Sequence, residues 1–354
     1  MKRIIDLILS ILFVLLSSCH SNDLSDLDSL FEQKPEIKLS IQLSNIKSGD
    51  VGMPIYFACV DSLLIVSEMF NTNFITVYNT IDGQVVNRFA SKGNGPNEFL
   101  GIGGLYFSNN QLIIQSTMPN RMVYVHKRDL LKTYISFKKI DFNEDNVSYL
   151  KISPISEGFF MGTAIINNSN SSDQFAIANK NGEFLRTIDQ YPLNKELKSA
   201  PNYDLALGFQ GTLTPSIDGC YALYSGSLHG VLKFYRFNGK NPQKVKEYVI
   251  DFPKFISRAN SDNKFYGVQV SEESIAGTIS VAVSDDSYYV LFSKKQPREF
   301  KSNIIYVFNF NGEPVKKILL DEPVKAIVYS EKENSLLTYR EMEEEPRIDI
   351  IKLP

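Results

Sequence analysis

The eight-residue stretch KGNGPNEF, from Lys92 to Phe99, carries a lysine and two glycines, which are residue types that bind phosphate in nucleotide enzymes. A phosphate loop leads into a helix whose first N–H groups are free, usually with Lys-Ser or Lys-Thr at its start. Here the lysine comes first and an apolar, β-like segment follows. The stretch is therefore better explained as a tight connection in which glycine permits unusual backbone angles.

Other catalytic or metal-binding patterns are weak in this chain. The three histidines, His20, His126 and His229, have no metal-binding spacing with one another or with cysteine. No G-x-S-x-G elbow supports a serine hydrolase. We therefore predict no catalytic residue, no metal-ligating residue and no required cofactor. Calcium stays open, because its oxygen ligands can converge from distant parts of a fold without a local motif.

The N-terminus has the features of an export signal. Lys2 and Arg3 precede an apolar run, Leu7–Leu16, that is too short to span a bilayer. The run ends in Leu16-Ser-Ser-Cys19, which resembles a bacterial lipobox, where the cysteine receives lipid and becomes the first mature residue. We predict a lipoprotein signal peptide over residues 1–18 and lipidation of Cys19. The alternative is a plain secretory signal with an incidental cysteine.

Beyond the signal, composition divides the chain into a short linker and one large domain. Residues 19–35 are polar and acidic, and we expect them to form a lipidated tether without core contacts. Residues 36–354 have ordinary apolar content, enough for a large core. The formal net charge of −3 gives no electrostatic support for nucleic-acid binding.

The domain sequence repeats itself six times. Each repeat has a polar turn, a short apolar run, a polar loop and a second apolar run, and most then turn at Asn-Gly or Asp-Gly into a third run. The repeats begin at Asp61, Asn109, Glu157, Asp218, Asp286 and Glu333. One more candidate strand precedes each hairpin. Six repeats of four strands predict an all-β fold, a six-bladed β-propeller with four-stranded antiparallel blades.

The chain ends support this count. The sixth repeat stops after its third strand, Arg347–Leu353, and a β-rich segment, Lys38–Leu43, lies unassigned near the N-terminus. We expect that N-terminal segment to supply the outer strand that closes the last blade. The same register places KGNGPNEF at the crossing from blade 1 to blade 2, with Phe99 as a plug. It also places Cys59 and Cys220 on opposite blades, too far apart for a disulfide.

Two motifs carry a family resemblance. The order F-x-x-K-G-x-G-P-x-E-F, from Phe89 to Phe99, is followed by Asn120-Arg-Met-Val-Tyr124, and related elements recur at Asn73–Tyr78 and Asn303–Phe308. This pattern resembles the NHL-type propeller repeat. Together with the lipobox, the chain resembles the TolB-like six-bladed propeller lipoproteins common in Bacteroidota. The resemblance implies a propeller fold and an envelope location, and it implies little about activity.

Loop length indicates which face of the propeller binds. The crossings near Asp189–Ala206 and Phe252–Ser274 are long and occur at the same phase of the repeat, so both emerge on one face. The loops between second and third strands emerge there too. The residues that we predict as ligand contacts on this face are Lys92, Asn94, Glu98, Tyr203, Asp204, Arg258, Asn260, Tyr266, Lys294 and Arg298.

These features favour a lipid-anchored envelope protein, most simply in the outer membrane on its periplasmic or cell-surface side. We expect a non-enzymatic binding or scaffold module for a protein, peptide or glycan, attached to the membrane through its N-terminal lipid and with no nucleic-acid partner. The alternative is a propeller lactonase, lyase or hydrolase with a site in the central channel and a calcium ion. A sensory role in the envelope is not distinguished from plain binding.

Overall fold

The computed structural model describes residues 24–47, 51–142, 146–166, 172–259, 265–341 and 346–354. Within these ranges the apolar runs form antiparallel strands, which assemble into six blades as predicted. The chain starts with helix α1 (Leu27–Phe31) and two short strands, β1 (Glu36–Leu39) and β2 (Gln42–Leu43). These three elements connect the N-terminal part of the chain to its last blades.

Blades 1 to 3 follow in chain order, each written from the channel outwards. Blade 1 contains β3 (Pro54–Val60), β4 (Leu63–Glu68), β5 (Asn73–Asn79) and β6 (Val85–Ser91). Blade 2 contains β7 (Ile102–Ser108), β8 (Gln111–Thr117), β9 (Asn120–His126) and β10 (Lys138–Asp141). Blade 3 contains β11 (Val147–Pro154), β12 (Phe160–Ile166), β13 (Asp173–Ala178) and β14 (Phe184–Gln190).

The remaining strands form blades 4 to 6, with extra elements inserted on both sides of blade 4. Helix α2 (Asn202–Gly208) precedes blade 4, which contains β15 (Gly211–Pro215), β16 (Tyr221–Gly226), β17 (Val231–Asn238) and β18 (Asn241–Val249). A separate hairpin follows, with β19 (Phe255–Ala259) and β20 (Phe265–Val270). Blade 5 contains β21 (Thr278–Val283), β22 (Ser287–Phe292), β23 (Ser302–Asn309) and β24 (Pro314–Val324). Blade 6 contains β25 (Ala326–Ser330), β26 (Ser335–Glu341) and β27 (Pro346–Lys352).

The N-terminal segment closes the ring, but its two strands pair with two different blades and not with one as the sequence predicts. Strand β2 pairs antiparallel with β27, with Gln42 opposite Ile350, so blade 6 obtains its outer strand from the N-terminus as predicted. Strand β1, however, pairs in parallel with β24 and gives blade 5 a fifth strand. The predicted closing segment, Lys38–Leu43, is thus shared between two blades. Both pairings tie the start of the chain to its last two blades.

The part of the expected tether from Ser25 to Pro35 belongs to the packed domain. Leu27 and Phe31 of α1 are buried between blades 4 and 5. Leu27 and Phe31 are four residues apart and therefore share one face of the helix. The Asp26 carboxylate caps the helix by accepting a hydrogen bond from the Asp28 N–H. The expectation of a tether without core contacts is therefore wrong for this segment, and Cys19–Asp23 lie outside the described residues.

Charge also fixes α1 in place. The Asp28 carboxylate lies 2.9 Å from Lys294 Nζ and 3.1 Å from Lys317 Nζ, and it accepts a hydrogen bond from the Tyr306 hydroxyl at 2.7 Å. Burial alone would raise the pKa of Asp28, but these three donors hold it well below its usual range. The carboxylate therefore stays ionised and its contacts persist across the physiological pH range.

The core lies between neighbouring blades, and the predicted plug residue is part of it. Phe99 is buried between blades 1 and 2, where its ring packs edge-on against Phe137 at 5.7 Å. The two cysteines are free, as the blade register predicts, and both are partly buried. Burial raises the pKa of the Cys59 thiol to about 11, so it is uncharged at neutral pH.

Candidate binding face

The order of strands within each blade gives the propeller two different faces. Connections from second to third strands, and crossings from one blade to the next, lie on one face, which we call the crossing face. Connections from first to second and from third to fourth strands lie on the other, the hairpin face. The long loops predicted from the sequence belong to the crossing face, because they connect fourth strands to the next first strands.

The Lys92–Phe99 stretch is an internally bonded crossing. The Glu98 carboxylate accepts the Gly95 N–H at 2.7 Å, and a Cβ at Gly93, where φ is +151°, would collide with that carboxylate. Lys92 donates to the Met69 carbonyl and lies 4.9 Å from the Phe74 ring centroid. Strand β7 follows and no helix begins there, so the geometry agrees with a connection and not with a phosphate loop. The three predicted contacts in this loop, Lys92, Asn94 and Glu98, are all exposed.

Helix α2 and the β19–β20 hairpin pack on each other and form a raised structure on the crossing face, which we call the platform. The Phe255 ring lies over Gly208 so closely that a Cβ there would be 2.2 Å from a ring carbon. The Ser257 hydroxyl donates a hydrogen bond to the Asp204 carboxylate. These two contacts fix the hairpin to the helix and make the platform part of the folded domain.

The platform contains four of the predicted contact residues in different roles. Asp204 is fully buried and not at the surface where it was expected, and its Oδ1 has no hydrogen-bond partner among the described residues. Tyr203 is exposed on α2. Arg258 is exposed and donates from Nε to Gln269 Oε1 across the hairpin at 2.9 Å. Tyr266 lies in β20, and Asn260 lies outside the described residues.

The last two predicted contacts lie in the loop between β22 and β23, and both are paired. Lys294 makes ion pairs with Asp26 at 3.0 Å and Asp28 at 2.9 Å, so it holds the N-terminal segment. Arg298 pairs with Glu272 at 2.6 Å, and both side chains are highly exposed. Such an exposed pair contributes little to stability. The predicted contacts thus form two separate groups, one around the platform and one at the crossing from blade 1 to blade 2.

Sequence reasoning missed an apolar group on the crossing face beside that first crossing. We call it the tip cluster; its members are Met69, Phe70, Leu100 and Met118. Phe70 and Met118 are 75% and 63% exposed. A signal was present in the sequence, because Met69-Phe70 occupies a loop between two strands, where polar residues are usual.

A buried acid makes the loop that carries Met69 and Phe70 rigid. Glu68 is buried, and its carboxylate accepts hydrogen bonds from the Gly52 N–H at 2.8 Å and the Tyr78 hydroxyl at 3.2 Å. It also accepts from the Asn71 amide and the Thr76 hydroxyl. These hydrogen bonds hold the base of the loop, and Met69 and Phe70 beyond it are 43% and 75% exposed.

The central channel contains two small cavities, of about 280 and 120 Å³. Lys151 projects into the smaller one and donates to the Gly103 carbonyl at 2.6 Å and to the Tyr56 hydroxyl. Asp61 and Glu331 line the larger cavity, and Asp61 is paired with Lys127. Over the described residues, no group of three or more His, Cys, Asp or Glu side chains is arranged to hold a metal ion.

A second buried charged group was also missed. Lys233 of β17 is fully buried between Asp189 at 3.0 Å and Glu247 at 3.6 Å, and its ammonium lies 5.6 Å from the Phe175 ring centroid. Burial lowers the pKa of Lys233, and the two acids oppose that shift. A lysine inside the apolar run VLKFYRF is the sequence signal for it. Since the ammonium is enclosed by its partners, we interpret the group as structural.

Comparison with known proteins agrees with this architecture. The family model of the TolB-like 6-blade propeller-like proteins matches residues 33–332. The chain belongs to this family. Among curated proteins, none is significantly similar to this TolB-like propeller in sequence.

One solved structure shows the same fold at low sequence identity. A Bacteroides fragilis protein described as exported is 11% identical with a TM-score of 0.52, covering 89% of this chain and 98% of that one. A member of the DUF4221 family from Bacteroides vulgatus is 9% identical with a TM-score of 0.49, covering 89% of this chain and 94% of the other. At such identities the likeness concerns the fold. In the described part of the TolB-like propeller, no helix has the length and hydropathy needed to cross a bilayer.

Proposed function

We propose that this TolB-like propeller is an exported lipoprotein of the bacterial cell envelope, attached to the outer membrane through lipid on Cys19. Its propeller acts as a non-enzymatic binding or scaffold module for an envelope protein, peptide or glycan. The lipobox-like sequence Leu16–Cys19 supports the anchor. The platform on the crossing face supports the binding role.

The platform carries this proposal because it is fixed to the domain and exposed at the protein surface. Two neighbouring crossings contribute to it, and the contacts of Phe255 with Gly208 and of Ser257 with Asp204 hold its parts together. Its surface presents Ile256, which is 66% exposed, close in sequence to Arg258. It also presents Tyr203, and aromatic and arginine side chains are enriched at interface centres.

The experiment is cross-linking in native membranes, followed by identification of co-purified proteins and glycans by mass spectrometry. One variant lacks residues 255–270, with Lys254 and Ser271 joined by an Asn-Gly turn. This join suits the backbone, because the Ser271 N–H already donates to the Lys254 carbonyl at 2.9 Å. We expect a partner that is captured by the parent protein and lost from this variant.

Removing the hairpin also uncovers Asp204 and Gly208, so a milder variant is needed. The double substitution Ile256→Ser and Arg258→Ala changes the outer surface and keeps Phe255 and Ser257. We expect it to weaken capture while the melting temperature stays unchanged. Tyr134→Ser, at an exposed position in the connection between β9 and β10 and away from the platform, is the matched control and should capture the partner normally. Equal capture by all variants would contradict the assignment of the platform.

A further inference from the structure

The first described residues lie on the crossing face at the boundary between blades 4 and 5. The Ser25 N–H donates to the Val249 carbonyl at 2.6 Å, and Val249 ends β18 on that face. Asp26 pairs with Lys294, which lies in a crossing-face loop of blade 5. The chain therefore enters the propeller from the crossing face.

Helix α1 fixes this position. Leu27 and Phe31 are buried between blades 4 and 5, and the carboxylate of Asp28 is held by Lys294 and Lys317. The residues that precede Ser25 therefore start from a defined point on the rim, and the propeller cannot turn freely on a long linker.

The distance to a lipid on Cys19 is short. Four residues separate Cys19 from Leu24, and the five steps between them span at most about 3.6 Å each in an extended chain, or about 18 Å in total. This step rests on the proposed lipidation. The membrane surface must then lie within that reach of the crossing face at the boundary between blades 4 and 5.

The tip cluster lies on the same face at the opposite side of the ring. In a six-membered ring, blade 1 faces blade 4 and blade 2 faces blade 5. The exposed side chains of Phe70, Leu100 and Met118 come from blade 1, the crossing to blade 2, and blade 2. Anchor and tip cluster are thus opposite points of one disc face. Exposed apolar tips of this kind can bury themselves in the boundary between headgroups and acyl chains.

We infer that the crossing face lies against the membrane, with the lipid anchor at one edge and the tip cluster as a second lipid contact at the other. The occupant of the tip cluster is the bilayer surface, because the anchor brings that surface to this face whatever else binds there. The hairpin face, including the exposed side chain of Ile81 in the turn between β5 and β6, points away.

The test places one fluorophore at a time on the lipidated protein in phosphatidylcholine–phosphatidylglycerol vesicles. Cys59 and Cys220 are first replaced by serine, and single cysteines are then introduced as Phe70→Cys, Met118→Cys and Tyr134→Cys. Tyr134 is the matched control because it is 89% exposed in the connection between β9 and β10, which Asn87 holds to the outer strand of blade 1. We expect lipid-borne quenchers to act on labels at positions 70 and 118 and aqueous iodide to act on the label at position 134.

A second measurement isolates the tip cluster from the anchor. In Cys19→Ala protein, Phe70→Ser combined with Met118→Ser should lower partition into the same vesicles by at least about tenfold, since two apolar side chains no longer enter the boundary between headgroups and acyl chains. Tyr134→Ser should leave partition unchanged. A label at position 134 that is quenched by lipid as strongly as one at position 70 would overturn the orientation.

The proposed anchor and this inference fail in distinguishable ways. Metabolic labelling with a fatty acid that reports no lipid on Cys19 would refute the anchor and remove the basis for the orientation. An acylated protein whose labels at positions 70 and 118 respond only to iodide would refute the lipid contact alone. Labels that are shielded from iodide only in native membranes, and not in protein-free vesicles, would assign the tip cluster to a protein partner and overturn the inference.

Discussion

Helix α1 allows the docking of the N-terminal segment to be tested by one substitution, Phe31→Ala. The Phe31 side chain is buried, and its ring centroid lies 5.0 Å from that of Tyr306 and 5.1 Å from that of Phe308. The contact with Phe308 is edge-on and the contact with Tyr306 is tilted. Truncation to alanine removes both ring contacts and leaves the charged contacts of Asp28 in place.

The expected cost follows from burial and ring packing. Burying a phenylalanine side chain contributes about 2–3 kcal/mol, and a favourable aromatic pair adds about 0.5–1.5 kcal/mol. The substitution should therefore weaken docking of the segment by about 3–4 kcal/mol. Because α1 is a short terminal element, part of this loss should appear as local undocking and not as unfolding of the whole propeller.

Two measurements separate local undocking from global unfolding. Amide hydrogen exchange of β1, which follows α1 and pairs with β24, should accelerate by about two orders of magnitude in Phe31→Ala, whereas urea unfolding reports the whole fold. Leu24→Ala is the control, since Leu24 is exposed, and it should change neither quantity by more than about 0.5 kcal/mol. Unchanged exchange and an unchanged urea midpoint in Phe31→Ala would refute the docked helix.

Three further predictions concern charge and metal. Burial lowers the pKa of His229 to about 3 from its ordinary value near 6.5. As the pH falls, this histidine is therefore protonated in the unfolded state before it is protonated in the folded state. Between pH 7.5 and 4.5 it should reduce the free energy of unfolding by about 3 kcal/mol. As the pH falls, the urea midpoint should fall less in His229→Gln than in the parent protein. An equal dependence of the urea midpoint on pH in both proteins would contradict the assignment. Lys233→Ala should destabilise the fold by about 1–3 kcal/mol, because Asp189 and Glu247 lose a buried partner but keep their ion pairs with Lys244 at 3.1 and 2.6 Å, with Lys233→Met as a comparison of similar side-chain length; an unchanged free energy of unfolding would argue against the buried network. Calcium and chelator should leave the melting temperature equal, and a rise with calcium would instead favour the channel-enzyme alternative.

The blades were predictable because their signals are local. A turn such as Asn311-Gly312, with φ of +81° at the glycine, closes a hairpin between two apolar runs, and the same pattern recurs along the chain. The pairing of β1 with β24 has no local signal, because it joins segments at opposite ends of the sequence. The closing role of Gln42–Leu43 could be predicted only by counting strands in the last repeat.

Helix α1 shows why short elements escape sequence reading. Five residues are too few to form a stable helix in isolation, so LDSLF reads as part of a polar linker. It becomes helical because Leu27 and Phe31 find a site between two blades. The available sequence signal was the four-residue spacing of these two apolar residues after Asp26, which is a capping residue. The many acidic residues around this segment obscured that signal.

The candidate face was predictable in outline and not in its side chains. Loop length located the platform, but the burial of Asp204 depends on Ser257 and on a hairpin from another crossing. Lys294 was predicted as a ligand contact, and its partner Asp26 is 268 positions away. Loop lengths are a local property of the chain, whereas ion pairs across the fold depend on the assembled ring.

The fixed N-terminal segment limits which partners the platform can reach. The β19–β20 hairpin and the docking point of Ser25 both lie at the passage from blade 4 to blade 5, so the platform and the proposed anchor are neighbours. A partner on the platform must then be accessible close to the membrane, which favours a membrane-embedded or lipid-anchored protein among the proposed classes.

Inserting twenty Gly-Ser residues between Cys19 and Leu24 should keep the fold and the lipid. The longer linker no longer holds the propeller close to the membrane surface, because its reach extends to tens of ångströms. Capture of a membrane-level partner should fall because the effective concentration falls. Undiminished capture would mean that the partner comes to the platform from the surrounding compartment, and that the short linker has no role in choosing it.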